Sequence, residues 1–252
     1  MALVTLLTDF GNSDHYVAEL KGAILTCAPG ATLVDITHLV PPGDIAAGAY
    51  ILGRAWHRFS AGTVHLAVVD PGVGTARAAL AFSAHGHCFV GPDNGLFTRV
   101  LHDTAVQVVT LPTPRGAAPT FHGRDLFGPA AAALAAGHAL ATLGEPLTGI
   151  PVRQATPPPH YEGKTVVGEV IYVDRFGTLV TNLTAEEVPP YARLVVEDVD
   201  LGPLRSTFGD VPTGGLIAFL GSGGEVEIAV RDGSAARRLG LGVGGRVRAR
   251  LG

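Results

Sequence analysis

Apolar runs at 2–8, 32–36 and 63–69 alternate with helix-patterned segments near the start of the chain, and no other feature restricts the fold as strongly. Short apolar runs bounded by turn residues read as buried strands. Between the first two runs, Tyr16, Val17, Leu20 and Ile24 recur at helical spacing. They predict a helix that starts near Ser13 or Asp14 and ends at Pro29-Gly30. Asp14 is expected near its first turn, where a carboxylate can accept from free backbone N–H groups. A second helix is expected from Asp44 through Ala47, Tyr50, Ile51, Leu52 and Ala55. This alternation predicts an α/β domain with a mainly parallel central sheet. Further strands are expected at 78–84 and 87–91, and an Ala-rich helix at 123–137.

The pattern changes at 151–162, where Pro151 and Pro157-Pro158-Pro159 predict a stiff linker. Beyond it helical periodicity nearly vanishes. Runs at 165–173, 178–183, 193–197, 216–220, 225–230 and 246–251 are β-rich and separated by Gly and Pro turns. They predict a small all-β, barrel-like domain. The expected organisation is therefore residues 1–150, a linker at 151–162, and residues 163–252.

A net charge of −4 gives no basic footprint for nucleic acid. No apolar run reaches the roughly 18 residues of a membrane span. Met1 to Asp9 enters a strand pattern directly, with no secretory leader read there, so a cytoplasmic protein is expected. The spacing of Cys27 and Cys88 fits neither a zinc nor a thioredoxin pattern, and reduced, buried thiols are expected. The histidines lack paired ligand spacing, so no metal site is expected.

Polar loops close the predicted strands at Thr8-Asp9-Phe10-Gly11, Asp70-Pro71-Gly72-Val73-Gly74 and Gly91-Pro92-Asp93-Asn94-Gly95. Ligands bind beyond the carboxyl ends of strands in open α/β sheets. With right-handed crossovers, Asp9 and Asp70 project from the same edge. Asp70 follows a fully apolar strand, where a lone carboxylate is costly unless paired or solvated in a cleft. Arg77 is placed to return along the next strand as its partner. Phe121-His122-Gly123-Arg124-Asp125 forms a second cluster, readable also as a helix start with a surface histidine. In the second domain, Asp174 and Asn182 close strands, and Glu227 falls inside an apolar run. Hairpin turns and polar strand ends explain Asp174 and Asn182 equally well.

The ordered set of TDFG at 8–11, VDPGVG at 69–74, GPDNG at 91–95, FHGRD at 121–125, VDRFGTLVTN at 173–182 and GSGGEVEIAV at 221–230 resembles the SAM hydroxide adenosyltransferase family, relatives of the fluorinase and chlorinase enzymes. The resemblance spans nearly the whole chain. It implies an α/β domain followed by a β-barrel, and hydrolysis of S-adenosyl-L-methionine (SAM) to adenosine and L-methionine. It also implies a homotrimer, with each site between one subunit's first domain and a neighbour's second. No cofactor is implied, since SAM is the substrate. Asp70, Arg77 and His122 match the group that holds the attacking water. Asp9 matches a carboxylate on the ribose diol. Asp174 and Ser222 match residues near the methionine head group, and Phe176 and Phe208 match aromatics around the purine. Asn182, Glu227 and Val230 fall in ligand-contacting segments. Halogenating relatives carry Tyr, Thr and Ser where this chain has Asp70, Val73 and Gly123, so halide coordination is not expected. A SAM or adenosine sensor without turnover is the alternative of a different class.

Overall fold

A computed structural model describes residues 2–101 and 106–252. The chain divides into two compact units, Met1–Gln154 and Ala155–Gly252. This boundary falls inside the segment expected as a linker. Residues 152–154 are fastened to the first unit, with Val152 N–H donating to Asp93 Oδ1 (2.7 Å) and Gln154 N–H to Thr98 Oγ1 (2.8 Å). Among the described residues, no helix is long and apolar enough to cross a membrane.

Unit 1 holds strands β1 (Leu3–Thr8), β2 (Thr32–Thr37), β3 (Val64–Val68), β4 (Ala79–Ala84), β5 (His87–Pro92), β6 (Gln107–Thr110) and β7 (Glu145–Pro146). Its helices are α1 (Tyr16–Cys27), α2 (Ile45–Ala55) and α3 (Gly128–Ala135). The strands form one mixed sheet in the order β2-β1-β3-β5-β4-β6-β7. The half from β2 to β5 is parallel, as expected, and the half from β5 to β7 is antiparallel. The change of direction has a local cause. β4 and β5 are joined by His85-Gly86, both at positive φ (51° and 78°), a tight turn that can only connect antiparallel neighbours.

Alternation along β3 sorts the two faces. Val64, Leu66 and Val68 join Leu20 and Ile24 of α1 and Ala130 to Ala132 of α3 in one core. Burying side chains such as Leu20 and Ile24 contributes about 1.5–3 kcal/mol each. Alanines on α3 bring it close to the sheet, and Gly128 lies close to Leu20 and Ile24. α2 covers the opposite face, where a Cβ on Gly48 would meet Leu96 at 2.8 Å and Val69 at 3.1 Å. Asp44 caps α2, its Oδ1 accepting from Ala47 N–H (2.9 Å). α1 departs from expectation. It begins at Tyr16 with His15 at the cap position and no side-chain cap, so Asp14 does not perform the capping expected of it. Cys27 is exposed rather than buried, while burial pushes the Cys88 thiol up.

On the α2 face His65 is fully buried, with Thr5 Oγ1 at 2.7 Å from Nδ1 and His87 Nδ1 at 3.2 Å from Nε2. Burial, and secondarily His87, lower its pKa to about 3. The unfolded chain therefore binds a proton below about pH 6.5 that the folded chain refuses until about pH 3. Unit 1 is expected to lose stability as pH falls through that window. His65→Gln should flatten the dependence in thermal melts taken from pH 7 to 4.

Unit 2 contains β8 (His160–Glu162), β9 (Thr165–Val173), β10 (Leu179–Thr184), β11 (Arg193–Val196), β12 (Val199–Pro203), β13 (Leu216–Leu220), β14 (Glu225–Val230) and β15 (Arg246–Arg250). The main path runs β12-β11-β15-β9-β10-β14-β13, with β8 on β9, and all these pairs are antiparallel. An isolated bridge from Arg205 to Phe219 links the region after β12 to β13, drawing the end strands together into a nearly closed sheet. Inward residues such as Val170, Leu179, Ile228 and Val247 fill its core. A short helix, α4 (Ala235–Leu239), interrupts the β-rich stretch. Ser234 caps it, accepting from Arg237 N–H (3.2 Å), and Gly240 closes it in the left-handed region.

Candidate active site

Asp70 follows the buried end of β3. Asn94 Nδ2 steadies this point by donating to Val69 O (2.8 Å). The chain then turns back, with Val73 N–H donating to Asp70 O and Thr75 Oγ1 to Gly72 O (2.7 Å). Gly74 is required in this turn: φ is +77°, and a Cβ would lie 2.8 Å from Pro119 O. The return brings Arg77 onto Asp70. Arg77 Nε donates to Oδ1 (3.1 Å) and Oδ2 (3.0 Å), and Nη2 also reaches Oδ2. The two side chains are only 5% and 11% exposed, so solvent screens their attraction weakly. The Arg77 guanidinium also sits over the Phe127 ring, 5.2 Å from its centre.

The same Nη2 donates to Nδ1 of His122 at 2.9 Å. A guanidinium has donors only, so Nδ1 must present its lone pair. His122 is thus neutral, with its proton on Nε2. Burial holds its pKa below the ordinary histidine value and the Arg77 charge adds to this, while Asp70 and Asp125 pull the other way. The surface-histidine reading fails, because His122 is buried. It enters a π-helical turn, Gly123–Phe127, that leads into α3 in place of the single Ala-rich helix expected from 123.

Asp70 and His122 border a cavity of about 330 Å³, together with Asp9, Phe10, Tyr16, Val73, Phe121 and Gly123. Phe10, Tyr16 and Phe121 meet edge to face, with ring centres 5.4–6.3 Å apart. Asp9 is held by its backbone neighbourhood, Oδ2 accepting from Gly43 N–H (2.8 Å). A Cβ on Gly123 would meet Phe10 Cζ at 3.0 Å, so a serine here would crowd that ring. The Asp70–Arg77–His122 cluster is neutral in sum, yet it presents a carboxylate beside aromatic walls. Such a site can hold a water molecule and tolerate a neighbouring cation.

Unit 2 has a larger cavity of about 910 Å³. Asp174, Phe176, Phe208, Ser222, Glu227 and Val230 all line it. Asp174 Oδ1 accepts from Phe176 N–H (2.9 Å) and Thr178 N–H (2.8 Å), fixing the turn between β9 and β10. Phe176 is 76% exposed, and Phe208 stands edge to face with Phe219 at 5.1 Å. Asn182 is not among the lining residues. Its Oδ1 accepts from Glu169 N–H (2.7 Å) and its Nδ2 donates to Pro157 O (2.8 Å), so its amide fastens strands and the Pro-rich segment.

Sequence reasoning missed Tyr16, Phe121, Phe219, Arg231, Asp232 and Arg237 as lining residues. Phe121 lies within a motif already singled out, and its neighbour His122 was the available signal. Tyr16 reads as a core position of α1 but is 43% exposed. Asp232 takes a left-handed backbone (φ 58°), and its place in an Asp-Gly turn is the signal that could have found it. Among the described residues, no group of three or more His, Cys, Asp or Glu could hold a metal ion.

The chain matches family models for the SAM hydroxide adenosyltransferase N-terminal domain over residues 4–144 and C-terminal domain over residues 168–248. It is 43% identical to the (R)-S-adenosyl-L-methionine hydrolase of Thermus thermophilus, covering 98% of this chain and 99% of that protein. The Salinispora arenicola enzyme of the same name is 40% identical, covering 99% and 98%. A crystal structure of a conserved protein from Thermotoga maritima superposes with a TM-score of 0.89 at 34% identity, covering 98% and 99%. With both domain models matched in order, this chain belongs to the SAM hydroxide adenosyltransferase family.

Proposed function

We propose that this protein hydrolyses SAM to adenosine and L-methionine. The Asp70–Arg77–His122 cluster, opening on an aromatic cavity, is the observation that carries this reading. Water or hydroxide held at Asp70 attacks the ribose C5′. The C5′–S bond breaks, and its electron pair stays on sulfur, which leaves as a neutral thioether. One proton from water is lost on the way to adenosine. A sulfonium leaving group needs neither protonation nor a cofactor, so catalysis rests on positioning and desolvating the nucleophile. Asp70 orients or deprotonates the water. Arg77 fixes the carboxylate, and neutral His122 accepts from Arg77. A halide would face the Asp70 carboxylate directly, and neither Val73 nor Gly123 offers it a hydroxyl.

Binding roles follow the motif matches, and the lining of the two cavities supports them. Asp9 grips the ribose diol. Asp174 and Ser222 take the methionine head group, Phe176 and Phe208 flank the purine, and Glu227 and Val230 complete that surface. Asn182 supports the ligand-facing strand from behind. In the same reading, unit 1 is the family's α/β domain and unit 2 its β-barrel. The assembly is a homotrimer in which neighbouring copies complete each site. The two relatives named for the (R) form support testing both sulfonium epimers.

The test is incubation with each epimer, with and without halide, followed by chromatography and mass analysis. Adenosine and methionine without halide support the proposal. A 5′-halo product or intact bound SAM sinks it. The rate should also fall in acid. Imidazolium cannot accept from Arg77, so activity is expected to decline as pH drops through a midpoint below the ordinary histidine value of about 6.5. A pH–rate profile with no acid limb anywhere the enzyme stays folded would contradict this role for His122.

A further inference from the structure

Behind the aromatic wall lies a second arginine network that the reaction above does not use. Arg124 donates from Nε to Asp125 Oδ1 (2.6 Å), from Nη2 to Asp125 Oδ2 (2.8 Å), and from Nη1 to Glu19 Oε2 (2.5 Å). Its guanidinium also lies over the Phe121 ring, 4.8 Å from the centre. Asp125 Oδ2 accepts from Ala118 N–H (2.9 Å) as well, which ties off the segment 118–125. Glu19 belongs to α1, one turn beyond Tyr16. One side chain therefore fastens α1, the 118–125 segment and the Phe121 ring together. His122 sits between Phe121 and the π-helical turn that contains Arg124 and Asp125.

We propose that Arg124 is a positioning residue: with Asp125 and Glu19 it sets where Phe121 stands and how His122 faces Arg77. The role rests on the hydrolase reading. Isolated exposed ion pairs contribute little to stability, and Arg124 and Glu19 are 34% and 36% exposed. What the arrangement supplies is geometry. Its bidentate fork and ring contact need a planar guanidinium, which a lysine cannot replace. Two features favour a role in the site over a surface role. The network ends on a ring that lines the cavity, and Arg124 and Asp125 themselves lie in the π-helical turn beside His122, a form frequent at functional sites.

The experiment measures kcat and KM for SAM, with a pH–rate profile, in wild type, Arg124→Ala, Arg124→Lys, Glu19→Gln and the Glu19→Gln/Arg124→Ala double variant. Misplacing reacting groups lowers kcat by about 10- to 100-fold, and this is expected for Arg124→Ala, with KM shifted by less than about three-fold. Arg124→Lys should recover little of the loss. Glu19→Gln should lose less, and the double variant should be no slower than Arg124→Ala, because both act through one network. The acid limb should move to higher pH in the Arg124 variants, as His122 loses its close contact with the Arg77 charge. Wild-type kcat and an unmoved limb in folded Arg124→Lys overturn the proposal, as do losses that multiply in the double variant. If the Arg124 variants fail to fold, a Glu19→Gln enzyme with wild-type kcat and limb overturns it alone. Wild type that releases no adenosine overturns the hydrolase reading itself, and this role with it.

Discussion

Asp70→Asn is expected to slow adenosine release by about a thousand-fold, within the range that a positioned base supplies, and Asp70→Ala to bring it below detection. Asparagine keeps the shape and can still accept from Arg77. It lacks the charge that orients the attacking water and takes up its proton. The difficulty is stability, because Arg77 is only 11% exposed and would keep its charge without a counter-ion. Removing one partner of a buried pair costs about 3–5 kcal/mol. A drop in activity must therefore be separated from a drop in folded protein. Asp70→Asn/Arg77→Met removes both charges and is expected to recover much of the melting temperature while staying inactive. Near-normal hydrolysis by a folded Asp70→Asn enzyme would remove Asp70 from the mechanism.

The second large effect is expected at Gly177. Its φ is +83°, and a Cβ there would lie 2.0 Å from Ser234 Oγ. Alanine pays a left-handed penalty of about 1 kcal/mol. It also displaces the Ser234 hydroxyl that caps α4, at about 1 kcal/mol more. Gly177→Ala should thus destabilise unit 2 by about 2–3 kcal/mol in denaturant titrations. It should also weaken SAM binding, since Asp174 and Phe176 stand on the same turn. Glycine is a tolerable cap, so Ser234→Gly in the Gly177→Ala background should return part of the stability. If the double variant is less stable than Gly177→Ala, the collision with Ser234 is not the cause.

Much of the fold is legible because buried strands write themselves as apolar runs. β1, β2 and β3, and most strands of unit 2, fall close to the runs that announce them. β6 and β12 are less visible: Gln107 and Val199-Asp200 face solvent at the margins of their sheets and break the apolar signal. β7 and β8 are too short to leave a pattern. The Asp70–Arg77 pair is legible because seven residues and a Pro-Gly turn can bring a chain back on itself. His122 is different. It stands 45 residues beyond Arg77 on another element, so only the ordered motifs pointed to it. The π-helical turn is overlooked when 123–137 is read as one Ala-rich helix, although Gly128-Pro129 inside it marks the start of α3. Asn182 shows the opposite error, a polar strand end whose amide serves the backbone.

The turn between Asp70 and Arg77 has a further consequence for how this sequence can drift. Its ends are pinned by a buried ion pair, and its middle is pinned where Gly74 slides under Pro119 O. The side chain at Ala76 is exposed and can change, whereas Thr75 is held by its bond to Gly72 O. The number of residues cannot change, since one insertion or deletion would swing the guanidinium off the carboxylate. This segment is a spacer of fixed length, and indels that persist in descendants of this chain should fall elsewhere.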